Sequence, residues 1–460
     1  MAYKQQRVRD SIHNIIGFKG NQFENMLWEL INTRPFQRLR RVKQLGFSYL
    51  VYPGATHSRF AHSIGVFHIA RRMMKIIERH LGEGSFQEAQ AQHALAAALL
   101  HDVGHGAFSH AFEEVGKRLK IEMAKHETVS KKLILDSEIS ECLKTMGSGF
   151  HKDVAGVIDE DIPPTLYSAV ISSQFDADRL DYMQRDRMMC GTRHGAIDFE
   201  WLVENIMVGD VNVGVDTESL GKIPTFVIGP KAIAAAETFV LGLFQLYPAV
   251  YLHKTTRGVE VLFTELLVKV IELSRDGSFA KTGLPENHPL VQFARDSDNI
   301  EHVLCLDDSV VWSALNLLSE SEDKLISDFS KRLRSRKLYK VIDVREELRK
   351  SGATEKELDK MCAEMKMRIE EWVDEDKSSV CRMLIDECKR SPYKGKTEGK
   401  GPLKQINVLD NGKLHDLSEI SDVVGAIKDF KVFRVYLNAN DDEAKKFIKN
   451  EIKGIRNGQC

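Results

Sequence analysis

The chain has 460 residues and 52.2 kDa, room for one large domain with a smaller companion or for two to three ordinary ones. Hydrophobic residues at 43% and charged residues at 29% exclude a chain disordered throughout. Lys+Arg 65 against Asp+Glu 67, a formal net charge of -2, excludes a generic polyanion binder and leaves only local basic surfaces.

In chain order, apolar residues recur at helical spacing through 22–45 (Phe23, Leu27, Leu30, Ile31, then Phe36, Leu39, Val42, Leu45). Thr33-Arg34-Pro35 interrupts them, and the proline suits the first turn of a second helix. Helices are predicted over 62–80, 88–101, 126–135, 176–189, 231–272 and 308–335. Residues 211–229 predict a short hairpin. Phe239–Leu252 is the longest apolar run, and with Gln245 and Pro248 inside it reads as a buried helix, not a membrane span. Beyond about residue 330 the composition turns basic and charged. A helical stretch at 341–375, a Lys- and Gly-rich linker at 389–404, a turn at Asn411-Gly412, a strand at 432–437 and a helix at 441–453 are expected there. The predicted fold is mostly α: a helical body with a small hairpin over 1–330, then a smaller α+β lobe over 331–460.

Seven cysteines without a CxxC pair argue for a reducing compartment rather than a disulfide scaffold or a zinc ribbon. Met1-Ala-Tyr-Lys-Gln-Gln carries no apolar signal region. A cytoplasmic protein without membrane contact is the expectation.

Histidine carries the chemistry. His57, His62, His68, His93, His101, His105, His110 and His126 crowd into a short part of the chain. The apolar helix Ala94–Leu100 delivers His101 and Asp102 at its end, one imidazole nitrogen and one carboxylate from a single turn, a donor mixture that borderline divalent metals accept. Gly104 and Gly106 end that helix and let backbone approach a ligand. Arg59 and His62 stand three residues apart upstream, and 176–186 holds several carboxylates at helical spacing downstream. Those carboxylates, alternating with arginines, read equally as a solvated face laced with i,i+4 pairs.

The segments Arg59-Phe-Ala-His62-Ser, His101-Asp102-Val-Gly-His105-Gly-Ala-Phe-Ser-His110 and Asp178-Arg-Leu-Asp-Tyr-Met-Gln-Arg-Asp186, in that order, resemble the HD-domain superfamily of metal phosphohydrolases. Within it the chain is similar to the deoxynucleoside triphosphate triphosphohydrolases, most of all to the sterile-alpha-motif/HD-domain branch, with no sterile-alpha-motif domain expected ahead of the body. The likeness runs from Asp10-Ser-Ile-His13 through Thr33–Gly46 to about Lys254, with weaker stretches at 336–340 and 432–437.

The resemblance implies a helical HD core and cleavage of dNTP to deoxynucleoside and triphosphate. It implies His62, His101, Asp102 and Asp178 as ligands of one divalent metal (Fe, Mn, Zn, Ni or Mg), with Mg or Mn accompanying the triphosphate. It makes His105, His110 and His126 the neighbouring catalytic histidines, His110 the acid and His126 with Glu127 its orienting or proton-relay partner. Arg59 and Arg179 would meet phosphate, Gln44 and Asp186 the sugar 3′-hydroxyl, Tyr182 the sugar face and Tyr251 the substrate. Arg9, Asn32, Gln37, Arg40, His253 and Lys254 fall on positions of an activating nucleotide, and a dimer or tetramer is the family habit.

Departures bear on substrate and activator. Leu246–Tyr251 is apolar where the branch has a histidine and arginines, Arg179 stands where the family often has lysine, and Asn32 and Arg9 replace the usual aspartate and asparagine. Asn donates as well as accepts, which changes the pattern facing a base. Two other readings remain open: an HD phosphohydrolase of a monophosphate, cyclic nucleotide or RNA, and a nucleic-acid binder. For the latter, the first 44 residues hold nine Lys/Arg against three Asp/Glu.

Overall fold

In the computed structural model, which describes residues 4–82, 84–159, 165–215, 218–375, 381–393 and 405–458, the chain begins with strands Gln6–Asp10 (β1) and Asn14–Phe18 (β2), paired antiparallel with Asp10 opposite Asn14. The turn is built from its own side chains: Asp10 Oδ1 accepts from the backbone of Ile12 at 2.8 Å and of His13 at 2.9 Å, and Asn14 takes the left-handed conformation that asparagine tolerates. Helix Gln22–Asn32 (α1) follows, its Asn21 cap accepting from Glu24 N at 2.7 Å, and Pro35 opens Arg34–Arg38 (α2) at the predicted break.

The body is then almost wholly helical: Arg59–Leu81 (α3), Glu88–Leu100 (α4), His110–Leu119 (α5), His126–Leu135 (α6), Glu138–Lys144 (α7), Phe150–Ile158 (α8), Ala169–Ser172 (α9), Ala177–Cys190 (α10), Phe199–Glu204 (α11) and, after a hairpin, Ile233–Leu246 (α12). The second half of α4 is apolar all round, with Ala94 and Ala96–Leu100 fully buried against α3 and α8, so its C-terminal end lies inside the fold. The hairpin is longer than expected, Ile206–Val215 (β3) with Glu218–Ile228 (β4). The helix predicted over 231–272 is two helices: a π-helical turn, Tyr247–Tyr251, containing Pro248, separates α12 from Lys254–Arg275. Pro230–Tyr251 is long and apolar enough to cross a membrane by length and composition, longer than the run seen in the sequence. Within the fold, Ala236, Phe239, Val240, Leu243 and Leu246 of α12 are buried, and the helix packs on α10 and α11 as a core helix does.

Two compact units result, Met1–Val250 with Pro392–Lys428, and Tyr251–Ser391 with Asp429–Cys460. They do not divide at residue 330, where the composition changes. Strand Asn407–Asp410 returns to the first unit by pairing with β4 (Ile228 opposite Val408), and strand Lys413–Asp416 pairs beside it. In the second unit Lys254–Arg275 packs on Pro289–Arg295 and Lys324–Ser335, so those helices belong with the later lobe. Its sheet places Phe430–Leu437 between Lys340–Asp343 and Met383–Arg390, over a core that includes Val344, Met365, Ile369, Val435 and Ile448. The fold is therefore a helical body with an α+β C-terminal part, as the sequence predicts; of the linker read over 389–404, residues 394–404 lie outside the described residues.

Candidate metal centre

Three helix ends meet. His62 stands in the first turn of α3, His101 and Asp102 follow the last turn of α4, and Asp178 lies in the first turn of α10, whose Asp176 cap accepts from Arg179 N at 2.8 Å. His62 Nε2 is 2.9 Å from Asp178 Oδ1 and 3.7 Å from Asp102 Oδ2. His101 Nε2 is 3.4 Å from Asp102 Oδ1 and 3.8 Å from Asp178 Oδ1. The other nitrogen of each ring is committed elsewhere: His62 Nδ1 pairs with Asp181 Oδ2 at 2.8 Å and His101 Nδ1 with the carbonyl of Ala98 at 2.9 Å. Both rings thus turn Nε2 inward, which is how metal-ligating histidines are held.

The residues fit a divalent ion. His101 Nε2 is buried without a hydrogen-bond partner, His62, His101 and Asp102 bring ligand atoms within 4.8 Å of one another, and Asp178 Oδ1 stands beside both imidazoles. Burial opposes a proton on His62, but hydrogen bonds to Asp178 and Asp181 outweigh it and raise its pKa to about 10. Proton and cation compete for the same nitrogen, so a group that holds a proton this firmly sits in a field that favours a cation. Burial likewise opposes charge on Asp102, yet Arg59, His101 and His105 keep its pKa well below the usual carboxylate range.

A second cluster of imidazoles adjoins the first. Gly104 makes it possible: a Cβ there would lie 2.3 Å from the carbonyl of His126, so α6 approaches the turn only because position 104 is bare, and Gly104 N donates to Ser130 Oγ at 3.0 Å. His105 and His126 consequently stack, centroids 3.9 Å apart, with His105 Nε2 3.3 Å from Asp102 Oδ1. Burial, then Arg59 and His126, push the His105 pKa well down, so this ring stays neutral. Buried Arg38 holds the turn from behind, donating to the carbonyl of His105 at 2.6 Å. Phe108 and Ser109 both have positive φ (56° and 55°), a conformation uncommon outside glycine that bends the chain so His110 can start α5. Ser109 is fixed there by Arg59, whose Nε donates to its Oγ at 2.8 Å, and by its own bond to the carbonyl of Lys43 at 3.1 Å.

Glu113 ties this cluster together. It accepts from His110 Nδ1 at 2.8 Å and also pairs with His126 Nδ1. Burial would raise its pKa, but those two bonds hold it far below the carboxylate range. Glu127, expected as the partner of His126, lies 3.5 Å away with its side chain 51% exposed. Adjacent residues on a helix point about 100° apart, whereas Glu113 faces back from α5 and holds both His110 and His126, so it joins Glu127 beside His126 as the carboxylate the sequence reading missed.

The other predicted residues fall in several places. Arg59 is buried and paired with Asp102 beside the metal ligands. Arg179 donates to the carbonyl of Ser173 at 2.6 Å and to Asp176 at 3.2 Å, so its charge is partly engaged. Asp186 is buried against His57 Nε2 at 2.8 Å, a histidine to which the sequence assigned no role. Gln44 Oε1 is buried without a partner, and burial raises the Tyr182 hydroxyl pKa well above 10. Gln37 and Arg40 bond each other at 2.8 Å, Gln37 Nε2 also donating to the carbonyl of Ile31, while Arg40 lies over Phe60. Asn32 donates to the carbonyl of Trp28, and Arg9 is exposed on β1. Tyr251, His253 and Lys254 belong to the second unit, where His253 Nδ1 caps Lys254–Arg275 and the carbonyl of Lys254 accepts from Tyr436.

Residues 59–183 match the HD domain. The chain is 33% identical over 350 residues to the uncharacterised protein YwfO of Bacillus subtilis (strain 168), covering 75% of this chain and 74% of that one. It is 29% identical over 352 residues to the deoxynucleoside triphosphate triphosphohydrolase SAMHD1 homolog of Dictyostelium discoideum, covering 73% of this chain and 60% of that protein. Among solved structures, a hypothetical protein from Aquifex aeolicus superposes with a TM-score of 0.69 at 26% identity, over 98% of this chain and 100% of the other.

Proposed function

Since the chain belongs to the HD-domain family, we propose that it is a metal-dependent hydrolase that cleaves dNTP to deoxynucleoside and inorganic triphosphate, under activation by nucleotide. The observation that carries the reading is the convergence of His62, His101 and Asp102, with Asp178 against both imidazoles, beside a carboxylate-tied histidine pair, His110 and His126. The relationship to a dNTP triphosphohydrolase supports the substrate class.

His62, His101, Asp102 and Asp178 hold one divalent ion, which supplies Lewis-acid polarisation of the α-phosphate when bound. Arg59 and Arg179 offset phosphate charge around it. His110, oriented by Glu113, gives its proton to the departing 5′-oxygen as the α-phosphorus–oxygen bond breaks and water adds to phosphorus. His126 shares Glu113 and returns a proton between turnovers. His105, neutral and stacked on His126, orients both. Gln44 and Asp186 meet the 3′-hydroxyl, and Tyr182 packs against the sugar. Buried Gln44 Oε1, an acceptor without a donor, supports that assignment. Arg9, Asn32, Gln37 and Arg40 take the activating nucleotide, and the active form is a homo-oligomer.

The test is product analysis by anion exchange. The protein is incubated with each dNTP alone and all four together, with Mg²⁺ or Mn²⁺, beside a His101→Ala/Asp102→Ala variant. Triphosphate and deoxynucleoside from the wild type only, faster with a mixture than with any single dNTP, is the expected result. Absence of triphosphate under every mixture overturns the substrate and moves it to a monophosphate, a cyclic nucleotide or RNA.

A further inference from the structure

The deepest polar network in the first unit extends behind the ligands, away from the reacting side. Asp181 is fully buried, Arg185 is 1% exposed and Asp10 9% exposed. Every acceptor position of Asp181 is used. Oδ2 accepts from His62 Nδ1 at 2.8 Å and Arg185 Nε at 2.7 Å, and Oδ1 from His13 Nε2 at 2.7 Å and Arg185 Nη2 at 2.9 Å. The Arg185 guanidinium passes on to Asp10, Nη1 to Oδ2 at 2.8 Å and Nη2 to Oδ1 at 3.2 Å. Asp10 in turn caps the backbone of Ile12 and His13, which places the His13 ring.

Room for this network is made inside α3. A Cβ on Gly65 would stand 2.0 Å from Asp181 Oδ1 and 2.5 Å from Arg185 Nη2. Glycine in a helix interior is less stable than alanine, and here that cost falls one turn after a metal ligand, where it admits a carboxylate and a guanidinium. Asp10, Asp181 and Arg185 together carry one net negative charge, buried one imidazole away from the ligand nitrogen.

We infer that the hairpin turn Asp10–His13 is a built part of the metal centre: Asp10, His13 and Arg185 are positioning residues that lock Asp181, and Asp181 fixes the tautomer, aim and basicity of His62. The inference rests on His62 being a metal ligand. Two carboxylates and one guanidinium are more than a fold needs to seat a short hairpin, since truncating one member leaves an uncompensated buried charge. The chain closes on a nitrogen whose ring partner is the candidate ion, the arrangement that makes outer carboxylates matter to metal affinity.

The test measures Co²⁺ and Mn²⁺ affinity of the full chain by competition with a chelator, together with the visible spectrum of bound Co²⁺ and thermal unfolding without metal. The variants are Asp181→Asn, Asp10→Asn and His13→Gln, with Leu143→Ala, a buried apolar truncation on α7, as a stability control. Asp181→Asn is expected to weaken Co²⁺ binding roughly 10–100-fold and to shift its spectrum. Asp10→Asn and His13→Gln give a smaller change of the same kind, and they carry the test if Asp181→Asn does not fold. Leu143→Ala lowers the unfolding temperature and leaves affinity and spectrum alone. A wild type that holds an ion, with Asp10→Asn and His13→Gln holding it equally and with the same spectrum, overturns the inference alone. A wild type that holds no divalent ion overturns the metal reading and this inference with it.

Discussion

Behind His62 the support is layered: Asp181 is held by Arg185 and His13, and Arg185 by Asp10, with Asp181, Arg185 and Asp10 all buried. Around His110 the construction is sparse. Its side chain is 72% exposed, and Glu113, its partner across one helical turn, is shared with His126. A metal ligand must keep one geometry whatever else happens, so it is fixed through several shells. A proton donor must reach a leaving group and exchange with solvent, so it needs one well-placed acceptor and an open side. The two clusters lie within one histidine-rich loop-and-helix stretch yet are supported according to these different tasks.

The comparison breaks most sharply at the ligands. Replacing His101 and Asp102 together with alanine removes half of the donor set, and the expected result is loss of bound metal and a fall in turnover of more than about 10³-fold. Metal analysis and product assay on the same sample check it. Turnover that survives with the ion gone would put the chemistry in the His110 cluster alone.

A middling effect is expected at Glu113. Glu113→Gln leaves the ion in place but gives His110 and His126 a weaker, neutral partner, lowering kcat by roughly 10²-fold, the low end of general-acid effects, with KM little changed. Glu127→Gln is expected to change kcat less than about threefold, because Glu127 is exposed and stands 3.5 Å from His126. Steady-state kinetics on both variants decide between them, and a larger loss from Glu127→Gln would return the relay to the partner read from adjacency.

These two clusters also mark where the sequence was readable. The His101-Asp102 pair stood out because an apolar helix ends on it and Gly104 and Gly106 punctuate the turn beyond, and the helical body with its later α+β part emerged from periodicity. Asp181 and Arg185 did not stand out. Four residues apart among alternating charges, they look like a solvated pair, and only His13, 168 residues from Asp181, shows that this face is interior. Burial of that kind is a property of the tertiary fold, not of spacing. Glu113 was passed over for Glu127 because neighbours in sequence are easily taken for neighbours in space. The β1–β2 hairpin has only five residues in each strand, so alternation had too few residues to register. His57 against Asp186 likewise joins positions 129 residues apart.

The smallest effect sharpens the contrast from the side of stability. His68 lies beside the buried network, its ring 5.0 Å from that of His13, and its Nδ1 is buried without a partner. Burial, then the positive neighbours His13, Arg71 and Arg72, lower its pKa to about 4 from the ordinary 6.5. Between those values the unfolded chain binds a proton that the folded chain refuses. The contribution to stability is therefore complete above about pH 6.5, declines as pH falls, and levels off near pH 4, with a slope of at most about 1.4 kcal/mol per pH unit. Chemical-denaturation midpoints of the metal-free protein at pH 7, 6 and 5 should fall accordingly, and His68→Phe, which cannot take the proton, should flatten that decline. If His68→Phe retains the wild-type slope, the acid sensitivity arises elsewhere; if it flattens, the cost of burial around His62 extends one helical turn beyond the groups that hold the ion.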